Sequence, residues 1–188
     1  MSMKLVPTPA FTSTGAALPF VALAQSHLLT VNANEIPVIK DALGPGVHFQ
    51  PLRLDMELGI WVLLATFSPG AFIPLHYHTG SVDAYTLSGC WHYAEYADQP
   101  QTAGCYLYEP GASVHTLKVP KENTEDTVVL FIVKGSNVNF NDDGTYHSML
   151  DASLIRHLTD TLSVAQGLGP IPFIAGGGAV HSIKGGDH

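Results

Sequence analysis

A chain of 188 residues with 46% hydrophobic and only 13% charged side chains has the composition of a well-packed globular protein, of a size for one domain with an appended element. Sixteen acidic against 8 basic side chains leave a formal charge of −8, and no basic run occurs. This argues against nucleic acid and against a membrane as partner, since anionic surfaces are held by clustered Lys and Arg and no apolar run approaches the ~18 residues that span a bilayer.

Residues 1–25 read as an extended arm rich in Pro, Thr and Ala, with no helical or strand period. Its apolar run Ala16–Ala24 has a small-residue end like that of a secretory signal. Pro7, Pro9 and Gly15, however, separate Lys4 from a run too short for one, so the protein is expected to be cytoplasmic. An apolar arm of this length should dock on its own barrel or on a neighbouring subunit, which points to a homodimer or homotetramer. The two cysteines, Cys90 and Cys105, stand in no CxxC and read as buried thiols.

From residue 26 to 150, short β-type runs alternate with Gly/Pro punctuation. The candidates are His27–Val31, Val47–Leu54, Ile60–Phe67, Asp83–Leu87, Cys90–Tyr96, Gly104–Tyr108, Ser113–Val119, Thr127–Lys134 and Asn137–Phe140. Many short strands with such turns predict an all-β sandwich or barrel. Ile60–Phe67 and Val128–Val133 are almost wholly apolar and read as strands buried on both faces. In the last segment, 151–188, the period changes. Leu154, Ile155, Leu158, Leu162 and Ala165 recur at helical spacing, with Asp151 as N-cap and Gly167 as stop, and the glycine-rich tail beyond is expected to be flexible.

The chemistry concentrates in Pro69–His78. His76 and His78 are two residues apart in an extended segment, so their imidazoles share one face of a sheet, as a metal would require. Downstream, Gly104–His115 brings a further histidine behind a Pro110-Gly111 turn.

These two stretches resemble the paired motifs of the cupin superfamily, G-x5-H-x-H-x3/4-E-x6-G and G-x5-P-x-G-x2-H-x3-N. Gly70, His76, His78 and Gly89 match the first; Gly104, Pro110 and His115 match the second, with the glycine one place early at Gly111 and Val119 in place of the closing Asn. The resemblance implies a jelly-roll (double-stranded β-helix) barrel followed by the C-terminal α-helix. The spacing to Gly89 puts Val82 in the slot of the cupin glutamate, with Asp83 the alternative, so the usual carboxylate ligand is missing.

If Ser88-Gly89 is a two-residue hairpin turn, Val82 lies opposite Glu95 on the neighbouring strand. Glu95 would then point into the barrel with Ala84, Thr86, Trp91 and Tyr93, the first as a switchable ligand or a base beside the metal, the others as walls of a substrate pocket.

Within the cupins, Leu75–Val82, Ala84–Gly89, Trp91–Tyr93, Glu95-Tyr96, Glu109–Gly111, Val114–Leu117 and Glu125–Thr127 resemble the 2,4'-dihydroxyacetophenone dioxygenase family, which is related to acetylacetone dioxygenases. That resemblance implies a non-haem Fe(II) held by His76, His78 and His115, a small-molecule ketone and O2 as substrates, and cleavage of a C–C bond. Two alternatives share the same histidines: a metal- or ligand-sensing cupin without catalysis, and a Zn, Mn or Ni cupin isomerase or hydrolase.

Overall fold

The computed structural model describes residues 8–22 and 28–176. Residues 8–30 belong to one compact unit and 31–176 to another. In the first, β1 (Thr8–Phe11) and β2 (Ala17–Ala22) form an antiparallel hairpin. Its turn closes with Thr12 N–H and Ala16 C=O 2.8 Å apart in a hydrogen bond, with Gly15 at φ +86°. The arm expected to lack a strand period therefore carries two strands among its described residues. The other end of that unit, like residues 23–27 and the tail from 177, lies outside the described residues, and with it most of the expected flexible tail.

The larger unit is built from strands whose alternation sets inside from outside. They are β3 (Val47–Asp55), β4 (Ile60–Phe67), β5 (Phe72–His78), β6 (Val82–Ser88), β7 (Cys90–Tyr93), β8 (Gln101–Thr102), β9 (Tyr106–Glu109), β10 (Val114–Lys118), β11 (Thr127–Lys134), β12 (Asn137–Phe140) and β13 (Tyr146–Leu150). Helix α1 (Ala152–Ala165) and β14 (Ile174–Gly176) follow. In β4 every second residue from Trp61 to Phe67 is buried, while Ile60, Val62 and Leu64 are only half-buried. The same holds for Val128, Leu130 and Ile132 in β11. These strands are thus buried on one face rather than two. His27–Val31 forms no strand over the described residues 28–31, and Leu28 is exposed.

Two six-stranded sheets result, ordered β13-β12-β5-β10-β7-β8 and β14-β3-β4-β11-β6-β9. From β5 to β7 and from β9 to β12, successive strands alternate between the sheets, which is the winding of a jelly-roll barrel. Gly89 makes the crossing from β6 to β7. It adopts φ +74°, and a Cβ there would lie 2.7 Å from Thr127 Cα. Thr127 Oγ1 also bonds the backbone of Cys90, fixing the exit.

Helix α1 begins as read, with Asp151 Oδ1 accepting from Leu154 N–H at 2.8 Å, and its end is followed by Gly167 at φ +66°. Ile155 is fully buried against Ile39, Phe49 and Leu54, a contact contributing about 1.5–3 kcal/mol. Among the described residues no helix is long and apolar enough to cross a membrane. Both cysteines are free and half-buried, more exposed than expected.

Candidate metal centre

Strand β5 presents His76 and His78 on its inner face, and β10 lies beside it with His115 opposite His76. All three imidazoles are buried, with 2–6% exposure, and each offers a ring nitrogen within 4.8 Å of the others. Their rings lie edge to face or tilted, with centroids 4.6–5.6 Å apart. His76 Nδ1 is 2.6 Å from the carbonyl of Pro74; since a carbonyl only accepts, Nδ1 carries the proton and Nε2 keeps its lone pair for a ligand. Burial pulls His76 and His78 down to about 4, against the opposing pull of Pro74 on the first and Glu109 on the second. Both are therefore neutral near pH 7, the form that binds metal.

The carboxylate at this site is Glu109, the last residue of β9. It is 3% exposed, and its Oε2 lies 3.3 Å from His78 Nε2 and 3.2 Å from His115 Nε2. These approaches are not aligned as hydrogen bonds: Glu109 Oε2 and His115 Nε2 remain without partners although buried. Tyr93 donates its hydroxyl to Glu109 Oε1, and its ring sits 4.1 Å from that of His115. Burial pushes the Glu109 carboxyl up, but His115, Tyr93 and His78 together outweigh it, so it stays below the ordinary carboxylate value. The Tyr93 hydroxyl is pushed far up, first by burial and then by Glu109, which keeps it a donor.

Three buried imidazoles and one unpartnered carboxylate oxygen converging in a buried space form a donor set suited to a divalent first-row metal. Orphaned buried polar atoms of this kind are expensive without such a partner. The residues present thus fit a metal held by His76, His78 and His115, with Glu109 in reach.

Glu95 is not part of this cluster. Strands β6 and β7 belong to different sheets, so Val82 and Glu95 are not cross-strand neighbours, and the chain leaves β7 at Tyr93 for a 3-10 turn over Ala94–Tyr96. Glu95 is exposed and accepts hydrogen bonds from Thr116 N–H and Oγ1, at 2.8 and 3.0 Å. Asp83 points away from the barrel and accepts from Tyr106. Val82 pairs instead with Glu109 on β9 and with Val133 on β11. The expected pairing of Val82 with Glu95 is therefore not formed, and the carboxylate at the site comes from Glu109, to which the sequence reading gave no role.

Of the expected pocket residues, Ala84, Thr86, Trp91 and Tyr93 all face inward and are buried, but only Tyr93 lines a cavity. Trp91 donates to Thr86 Oγ1 at 2.9 Å and packs on Tyr93 and Phe131, in the same buried cluster as Ala84. The cavity in front of His76 and His78, about 290 Å³, is walled instead by Trp61, Leu63, Phe67, Phe131 and Val133, with Leu154 and Leu158 of α1 on its border. A second cavity of about 210 Å³, bordered by Tyr96 and Tyr108, reaches Tyr93, Glu109 and His115 from another direction.

A family model described as the ChrR cupin-like domain matches residues 27–138. A protein of unknown function with a cupin-like fold from Ralstonia eutropha JMP134 is 43% identical, covering 85% of this chain and 98% of its own, with a TM-score of 0.78. An RmlC-like cupin from the same organism is 24% identical over 78% of this chain and 93% of its own, with a TM-score of 0.71. The acetylacetone dioxygenase of Acinetobacter johnsonii shares the fold at 14% identity, a TM-score of 0.60, and coverage of 72% and 91%. No curated protein matches the chain. With more than half its length matched by that model and its histidines gathered on the inner wall of a jelly roll, the chain belongs to the ChrR cupin-like domain family.

Proposed function

We propose that this cupin is a non-haem Fe(II)-dependent dioxygenase of the 2,4'-dihydroxyacetophenone dioxygenase type, cleaving a C–C bond of a chelating ketone with O2. The observation that carries this reading is the pairing of three buried imidazoles with an apolar cavity of about 290 Å³ bordered by two of them, His76 and His78. A cavity of this size and lining takes a small ketone with an aryl or alkyl substituent. A 2-hydroxy aryl ketone, ArCO–CH2OH, would add O2 across the bond between its two oxygenated carbons and yield ArCOOH and HCOOH. A β-diketone would give one acid and one 2-oxoaldehyde or dione.

Bound iron(II) would supply the electrons and open positions that O2 chemistry needs. The protein's part is positioning and proton handling. Glu109 Oε2, unpartnered and held ionised, is placed to take the acidic C–H proton and generate an enolate, with Tyr93 fixing the other carboxylate oxygen. Phe131, Leu63 and Leu158 would hold the substituent and keep water out. The closeness of Glu109 to two imidazole nitrogens also favours a second reading, a four-ligand Zn, Mn or Ni site for isomerisation or hydrolysis.

Anaerobic loading with Fe(II), followed by O2 uptake against a panel of aryl 2-hydroxyketones and β-diketones, tests the proposal, with His115→Ala as control. Uptake by the native protein and its loss in the variant are expected. Absence of uptake on every chelating ketone, with turnover by a redox-inert metal, would favour the second reading.

A further inference from the structure

Two buried polar atoms on the inner wall stand without partners although their residues are neighbours. Asn137 of β12 is opposite His78 of β5 in the ladder, and Asn137 Oδ1 and His78 Nδ1 both lack a hydrogen bond. One is an acceptor; the other, in a histidine that gives Nε2 to a metal, is a donor. Directly opposed inner-face side chains have Cβ atoms about 4.5–5.5 Å apart, so a small side-chain rotation joins them.

The orientation of the Asn137 amide is set from the far side. Its Nδ2 donates to Asn139 Oδ1 at 2.8 Å, Asn139 Nδ2 donates to Ser148 Oγ at 3.1 Å, and Ser148 Oγ meets the exposed His147 Nδ1 at 2.7 Å. Asn139 lies between His76 and Ser148 in the next row of the same sheet. With Nδ2 turned to Asn139, the Asn137 atom left buried without a partner is its carbonyl oxygen, the acceptor that a His78 Nδ1–H needs. The reverse arrangement would turn an N–H toward Nδ1, force the imidazole proton onto Nε2 and remove the metal-binding lone pair.

We propose that Asn137 is the positioning residue of the metal centre: its Oδ1 accepts from His78 Nδ1–H and holds the tautomer that presents Nε2, while Asn139, Ser148 and His147 hold the Asn137 amide in register. His76 obtains the same service from the Pro74 carbonyl. Outer partners of ligating histidines orient the ring and raise its basicity, and their removal typically weakens metal binding about 10–100-fold. The inference rests on the metal-binding part of the proposed function and is independent of its oxygen chemistry.

The test uses zinc, which does no oxygen chemistry, titrated against a chromophoric chelator, together with NMR of the 15N-labelled histidines. In the native protein His78 should show a protected Nδ1–H. Asn137→Leu, similar in volume but without an acceptor, should bind zinc about 10–100-fold more weakly and lose that signal. Asn137→Asp, which keeps an acceptor, should retain both, and Asn139→Leu should show a smaller loss. Asn137→Ala replaces the leucine variant should the latter not fold. Native zinc affinity and an unchanged His78 signal in a folded Asn137→Leu or Asn137→Ala protein would overturn the inference alone. A native protein that takes up no zinc would overturn it together with the metal reading.

Discussion

Glu109 stands opposite Val82 across the β6–β9 ladder, so the carboxylate absent from one strand enters the same inner wall from its neighbour. Its Oε2 approaches two imidazole nitrogens at 3.2 and 3.3 Å. A carboxylate there serves as a base or as a ligand, and the two roles separate experimentally. Glu109→Gln keeps the volume and the contact with Tyr93. A base lost in this way should lower turnover about 10²–10⁴-fold with metal content intact. A lost ligand should lower metal content instead. Equal loss of neither would remove Glu109 from the site.

The two depressed histidines set a pH dependence for the metal-free protein. His76 and His78 sit at about 4 in the fold against 6.5 as their ordinary value, so between these limits the unfolded chain binds more protons and stability rises with pH. Their contribution is complete above 6.5 and is lost as pH falls toward 4, by on the order of 3 kcal/mol for each histidine. The lowered Glu109 acts in the same sense at the acid end. Urea midpoints measured between pH 7 and 4 should therefore fall steeply. Midpoints that hold constant over that range would contradict the burial of neutral imidazoles.

Ala112 occupies the position where the second motif places its glycine, and it adopts φ +67°. That left-handed conformation costs a non-glycine residue roughly 1–2 kcal/mol, of which glycine's greater chain entropy returns part. Ala112→Gly should thus stabilise the protein by about 0.5–1 kcal/mol, a rise in Tm of roughly 2 °C for a chain of this size. The backbone here also donates from Ala112 N–H to the His78 carbonyl at 2.8 Å, so metal affinity should be kept. A lower Tm would show that the turn has a different shape.

Glu95→Gln should leave metal content and turnover unchanged. Its carboxylate ties the 3-10 turn to Thr116 and reaches His115 and Tyr93 only as the smallest of the charges acting there, and exposed hydrogen bonds of this kind contribute about 1 kcal/mol. Loss of bound metal in this variant would return Glu95 to the site.

The features that sequence disclosed are those written in local pattern. Thr127–Lys134 and Asn137–Phe140 form strands with the bounds read from their runs, and Asp151 caps the helix as its place ahead of the helical run suggests. His76 and His78 share a face because the strand period is two, and Trp91 and Tyr93 face inward for the same reason. What escaped is the choice of neighbour. The Ser88-Gly89 signal fits a hairpin equally well, and only the winding of the whole barrel sends β7 to the other sheet and brings β9 beside β6. Glu109, next to Pro110-Gly111, therefore carries no sequence signal of its role. Depth along the barrel is likewise non-local: Ala84, Thr86 and Trp91 have inward parity but lie in the packed interior, while Phe131 and α1 wall the cavity. Strand β13, a run of five mostly exposed residues, carries too weak an alternation to be read alone.

The most direct test of the dioxygenase reading is turnover of an aryl 2-hydroxyketone by the Fe(II)-loaded protein under 18O2, with mass analysis of both products. The account predicts one labelled oxygen atom in the aryl acid and one in the formic acid, with no product from the His115→Ala protein. Products that carry no label, or that form equally well with zinc in the absence of O2, would contradict it.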